Sequence, residues 1–76
     1  MNITVTVYAI GGKWQAGPSG DCIVGTAHDT ITFLNLLDLV EMKGGYAVSM
    51  HGTFGTNLIS GEYRLTDARN ILRKAA

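Results

Sequence analysis

Residues 29–45, DTITFLNLLDLVEMKGG, constrain this chain more than any other stretch, because length, punctuation and apolar density all demand an α-helix there. Asp29 or Thr30 offers a side-chain acceptor to the orphan N–H groups of a first turn. The Gly44-Gly45 pair supplies a left-handed stop. Over the roughly fourteen residues between them, 100° steps bring Phe33, Leu36, Leu37 and Val40 onto one face with Leu34 on its flank. Thr32, Asn35, Asp38, Glu41 and Lys43 spread around the other side. Ile31, Leu39 and Met42 do not fit this division: they project among the polar residues. A helix apolar on nearly every side needs a second partner beyond its own core. These three residues are therefore expected either beneath a long loop or the second helix, or at an interface between subunits or with a target.

A chain of 76 residues holds one domain, 1–76, and buries only about 60–65% of the surface its unfolded form exposes. Its 46% hydrophobic and 16% charged composition is sparing in charge for so small a body, and self-association is a common way for such a chain to bury more area. A homo-oligomer is expected. Six basic and six acidic residues cancel, which removes the field that steers proteins onto a duplex and equally any acidic imitation of one. The single Cys22 has no intrachain partner and suits the reducing cytoplasm, where it reads as a small buried hydrophobe. No signal peptide and no membrane span is visible.

Around the central helix, residues 2–10 alternate strictly, Ile3, Val5, Val7 and Ala9 against Thr4, Thr6, Tyr8 and Ile10, which predicts a strand. Its threonine face would guard an edge poorly. The glycine-rich residues 11–21 predict a loop carrying Lys13 and Trp14, a cation and the chain's one indole, which either folds back over one end of the core or serves as a contact for a partner or a base. A second, antiparallel strand is expected over residues 22–27, with Gly25 as a bulge or close approach. After the helix, residues 46–51 read as a strand with Tyr46, Val48 and Met50 on one face. GTFGTN breaks it, and residues 57–65 form a fourth strand interrupted near Ser60 and Gly61. Thr66 then caps a closing helix in which Ala68, Ile71, Leu72 and Ala75 recur at helical spacing, with Arg69, Arg73 and Lys74 outward. The expected fold is α+β in ββαββα order: a small, mostly antiparallel sheet with both helices on one face.

The titratable candidates are Cys22, His28, His51, Asp21, Asp29 and Asp38, in no spacing that a nucleophile elbow, phosphate loop, metalloprotease or dithiol motif uses. A Cys22–His51 nucleophile pair is the best catalytic arrangement the sequence offers, and a small enzyme built on it is the third expectation. The expectation is a protein that is not an enzyme, needs no cofactor and holds no metal, since structural zinc takes paired ligands at short spacing. Two glycine segments, residues 11–14 and 52–56, carry Lys13, Trp14 and Phe54, and Arg64 lies on a neighbouring segment. Those four residues form a candidate ligand or partner site, in which local cations and a stacking ring would hold a small nucleotide.

In size and make-up the chain resembles the very short single-domain proteins encoded by phages and mobile elements, many of which bind a host component. The resemblance implies a counter-defence inhibitor that blocks a host protein. The alternative expectation is an oligomeric sponge that sequesters a small signalling nucleotide.

Overall fold

A computed structural model describes the backbone of residues 2–14 and 22–75 and the side chains as far as Ile71. The expected loop residues 15–21, Asp21 among them, and the side chains of Leu72, Arg73, Lys74 and Ala75 lie outside the described residues. The elements follow in the order β1 (Ile3–Gly11), β2 (Ile23–Ala27), α1 (Thr30–Met42), β3 (Gly45–Phe54), β4 (Asn57–Arg64) and α2 (Leu65–Ala75). This is the α+β architecture expected, with a four-stranded antiparallel sheet in the order β2-β1-β3-β4.

Strict alternation in β1 does what a period of two dictates: Ile3, Val5, Val7 and Ala9 are buried, while Thr4, Thr6, Tyr8 and Ile10 face the other way. The strand lies in the middle of the sheet, between β2 and β3, so its threonine face guards no edge. Thr6 and Thr26 instead meet across the uncovered face, hydroxyl to hydroxyl at 3.0 Å. Both helices close the opposite face. Phe33, Leu37 and Val40 of α1 and Leu65 and Ala68 of α2 join the β1 residues, Val48, Met50 and Phe54 in one cluster. At its centre Phe33 and Phe54 pack edge to face, 5.3 Å between ring centroids, the geometry that aligns the ring quadrupoles favourably.

The ends of α1 are set by the residues the sequence singles out. Asp29 is the N-cap: its Oδ1 accepts from the Thr32 N–H at 2.7 Å and its Oδ2 from the Thr32 hydroxyl at 3.0 Å. Lys43 closes the other end. Gly44 follows it at φ +84°, and its N–H donates to the Glu41 carbonyl. The hydrogen bond from Thr32 N–H, followed by that from its hydroxyl, holds the Asp29 carboxyl below its ordinary value of 3.8. A lowered folded-state value stabilises the fold above the unfolded value and gives that stability back as pH falls through the folded one. The melting temperature should therefore drop more steeply below about pH 4 for the wild type than for Asp29→Asn, which keeps an acceptor but does not titrate. Parallel thermal melts from pH 6 downward test this, and identical slopes would contradict it.

Several boundaries differ from expectation. β3 runs through Gly52 to Phe54, and only Gly55 and Thr56 turn the chain into β4. Gly52 is no breaker; it is where β1 crosses most closely, so a Cβ there would overlap the Thr4 carbonyl oxygen. Tyr46 is not a core residue. The β1–β3 register steps between Ile10↔Ala47 and Gly11↔Gly45, which turns Tyr46 out to solvent with its ring over Gly11, while Ala47 is buried. The bulge expected at Gly25 falls beside it, opposite the step between Val7 and Tyr8. No register shift interrupts β4 at Ser60 and Gly61, where Gly61 instead takes φ +125° within the strand. Helix α2 begins at Leu65, so Thr66 lies inside the first turn rather than capping it. Arg69, expected on a basic outer face, turns toward α1 and donates to Asp38 and Glu41, at 2.8 Å each. Its pKa is raised, first by Asp38 and then by Glu41. These pairs are mostly solvated and contribute about 0–1 kcal/mol each, so they orient the two helices more than they stabilise them.

Candidate binding site

On α1, a stripe points away from the sheet. Ile31, Asn35, Leu39 and Met42 stand at i, i+4, i+8 and i+11, which on a 3.6-residue turn places them along one line of about 16 Å. The line lies opposite buried Phe33, Leu37 and Val40. Ile31 is 72% exposed, Met42 82% and Leu39 37%, so among the described residues neither α2 nor a loop covers this face. Asp38 and Glu41, tied to Arg69, form its polar border. The arrangement is an apolar ridge with a charged margin, the layout of surfaces that meet another protein.

The four residues expected to form a ligand site do not come together. Lys13 and Trp14 follow β1, where the Lys13 N–H donates to the Lys43 carbonyl at 2.8 Å. Trp14 is half-buried against the core and its ring is already occupied, with the Lys43 ammonium 4.5 Å from its centroid. A contact of that kind contributes about 0.5–1 kcal/mol at exposed sites. The indole is a lid at one end of the core, and its Nε1 is buried without a hydrogen-bond partner. Phe54 sits at the far end of β3, 1% exposed and packed on Phe33, which removes it from any contact set. Arg64 is exposed on β4, two strands away from β1, beside a hollow of about 520 Å³ lined by Tyr46, Ala47, Glu62, Tyr63 and Arg64. What does gather near Trp14 is a second hollow, of about 450 Å³, lined by Lys13, Met42, Lys43 and Gly44.

Cys22 and His51 do not meet either. Cys22 packs against the core near Trp14, its Sγ 4.0 Å from the Trp14 carbonyl oxygen, whereas exposed His51 shares the uncovered sheet face with Thr6. His28 is exposed, and its neighbour Asp29 is engaged by Thr32. Among the described residues no three His, Cys, Asp or Glu side chains are placed to share a metal ion, and no helix is long and apolar enough to cross a membrane.

Sequence reasoning passed over the hollow at Arg64 and the exposed side chain of Leu58 on the same strand. Both depend on β4 being the outer strand of the sheet, a fact of strand order that no local pattern encodes. No protein-family model matches the chain, and no curated protein or solved structure is significantly similar to it.

Proposed function

We propose that this is a small binding protein that acts by covering a surface of a protein partner, with the outer stripe of α1 as the contact. The observation that carries the reading is the exposure of Ile31 and Met42, two large apolar side chains on a helix whose core face is separately satisfied. Leaving apolar surface of this kind in water forgoes about 25 cal/mol for each Å², and a partner that covers it recovers that free energy. The chain format, shared with short phage-encoded binders, supports a host protein as the partner and inhibition by occlusion as the mode of action. The single cysteine supports a cytoplasmic setting.

The second reading, a nucleotide sponge, is favoured by one observation: Lys13 and Lys43 share the hollow beside Trp14. Against it, Lys43 already covers the indole on which a base would stack.

Charge substitution separates the two. Leu39→Asp combined with Met42→Asp is expected to leave the melting temperature within a few degrees of wild type and to weaken partner binding at least tenfold. Lys13→Glu, which changes a charge beside Met42 but leaves the stripe itself intact, should weaken binding far less. Surface plasmon resonance against the captured partner reads both effects, and a nucleotide panel followed by thermal shift tests the rival, because a ligand of the native state raises stability by mass action. Full binding by the doubly charged variant, or a melting shift with a nucleotide that Lys13→Glu removes, would refute the α1 reading.

A further inference from the structure

We propose that β4 is the contact between two copies of this chain, the two strands running antiparallel about a two-fold axis at Gly61 so that the four-stranded sheets join into one. Gly55 has φ +61° and among the described residues none other than glycine has positive φ, so Gly55 and Thr56 form a type II′ two-residue hairpin. In such a hairpin Phe54 and Asn57 exchange hydrogen bonds, and the pairs alternate from there. Leu58, Ser60, Glu62 and Arg64 therefore turn their N–H and C=O groups away from β3, toward the open edge.

Glu62 and Arg64, of opposite sign, are the only charges on that edge. It is eight residues long, contains no proline and no lysine, and its register with β3 runs without a bulge. The other edge, β2, has five residues and faces a register shift.

The side chains on β4 complement a second copy of themselves. Centring the axis on Gly61 is the register that pairs the whole of residues 58–64: Leu58 opposite Arg64 of the partner subunit, Ile59 opposite Tyr63 of the partner subunit, Ser60 opposite Glu62 of the partner subunit. It forms roughly eight main-chain hydrogen bonds between copies. Gly61 meets its own counterpart where strands approach most closely, and a Cβ built on it finds nothing within 4 Å.

At one end of β4 stand two apolar side chains, Leu58, 71% exposed, and half-buried Ile59. At the other end are two hollows. One, of about 520 Å³, involves Glu62, Tyr63 and Arg64 with Tyr46 and Ala47; the second, of about 290 Å³, lies between Tyr63 and Asp67, Asn70 and Ile71 of α2. The two-fold axis brings Leu58 of the partner subunit beside the first and Ile59 of the partner subunit beside the second. The stripe on α1 takes no part in this contact, so each dimer carries it twice.

The test combines mass with a register-specific crosslink. Light scattering of the intact chain should give twice 8.1 kDa. Ser60→Pro should return the mass to 8.1 kDa with its strand content unchanged by circular dichroism, because the Ser60 N–H points outward and proline there breaks no bond to β3. If Ser60→Pro fails to fold, the crosslink decides. In a Cys22→Ser background, Leu58→Cys with Arg64→Cys should form a covalent dimer on a non-reducing gel, since opposed strand residues about 5.5 Å apart suit a disulfide, whereas the same two positions within one strand lie about 20 Å apart. Leu58→Cys with Glu62→Cys, one register step off, should crosslink at least tenfold more slowly. A monomeric wild type, a dimer that survives Ser60→Pro, a faster crosslink in the shifted pair, or a dimer abolished by Leu39→Asp would each overturn the proposal.

Discussion

Gly52→Ala is expected to remove about half of the stability of the fold. Gly52 lies in a strand at φ +154°, and a Cβ there would overlap the Thr4 carbonyl oxygen and stand 2.7 Å from the Val5 Cα. Those atoms are backbone, and they belong to the central strand that carries Ile3, Val5 and Val7 of the core, so no rotamer change relieves the contact. Overpacking costs about 1–3 kcal/mol and an unfavourable backbone conformation adds about 1–3. A chain of this length has about 4–11 kcal/mol of stability in total, at about 0.05–0.15 kcal/mol for each residue. The sum, about 2–6 kcal/mol, is about half of it. Gly61→Ala is the internal control: its φ is also positive, but a Cβ meets no atom of its own chain within 4 Å, so within one chain only the conformational part should appear. Chemical denaturation of both variants reads the difference. Equal, small losses would show that β1 and β3 are not held as closely at Gly52 as described.

The second large effect is at Phe54. Its ring is buried and meets Phe33 edge to face, so Phe54→Ala should cost about 3–5 kcal/mol, most of it from the cavity left under both helices. Phe54→Leu keeps most of the volume and should cost about half as much or less. Urea melts give both values. A contact residue would behave in the opposite way, with stability preserved and binding lost, and that outcome would restore Phe54 to a surface role.

What could be read from the sequence was whatever a local period records. The alternation of Ile3, Val5, Val7 and Ala9 and the helical spacing of Phe33, Leu37 and Val40 identify buried faces directly, and those faces are buried. The exposure of Ile31 and Met42 was legible for the same reason, since apolar residues on the polar side of a helix leave the pattern. Glycine was read less well. Gly52 and Gly61 looked like breakers because glycine ends strands as often as it permits close approach, and only the neighbour across the sheet distinguishes the two. Tyr46 and Phe54 were misplaced by a related fault, because the register step at Gly11↔Gly45 and the two-residue turn at Gly55 decide which way each ring points. Arg69 looked like a surface cation because its partners, Asp38 and Glu41, are on another helix. The open edge of β4 could not be read at all, since strand order is a property of the assembled sheet.

The claim on which the account rests is that the outer stripe of α1 is a contact surface, and hydroxyl-radical footprinting of Met42 tests it most directly. Methionine oxidises readily, and Met42 is 82% exposed while Met50 is buried, so the free protein should be modified at Met42 and spared at Met50. With the partner bound, oxidation at Met42 should fall at least fivefold while Met50 stays unmodified. Unchanged oxidation of Met42 in a complex shown by mass to be intact would mean that the partner binds elsewhere, and would contradict the account.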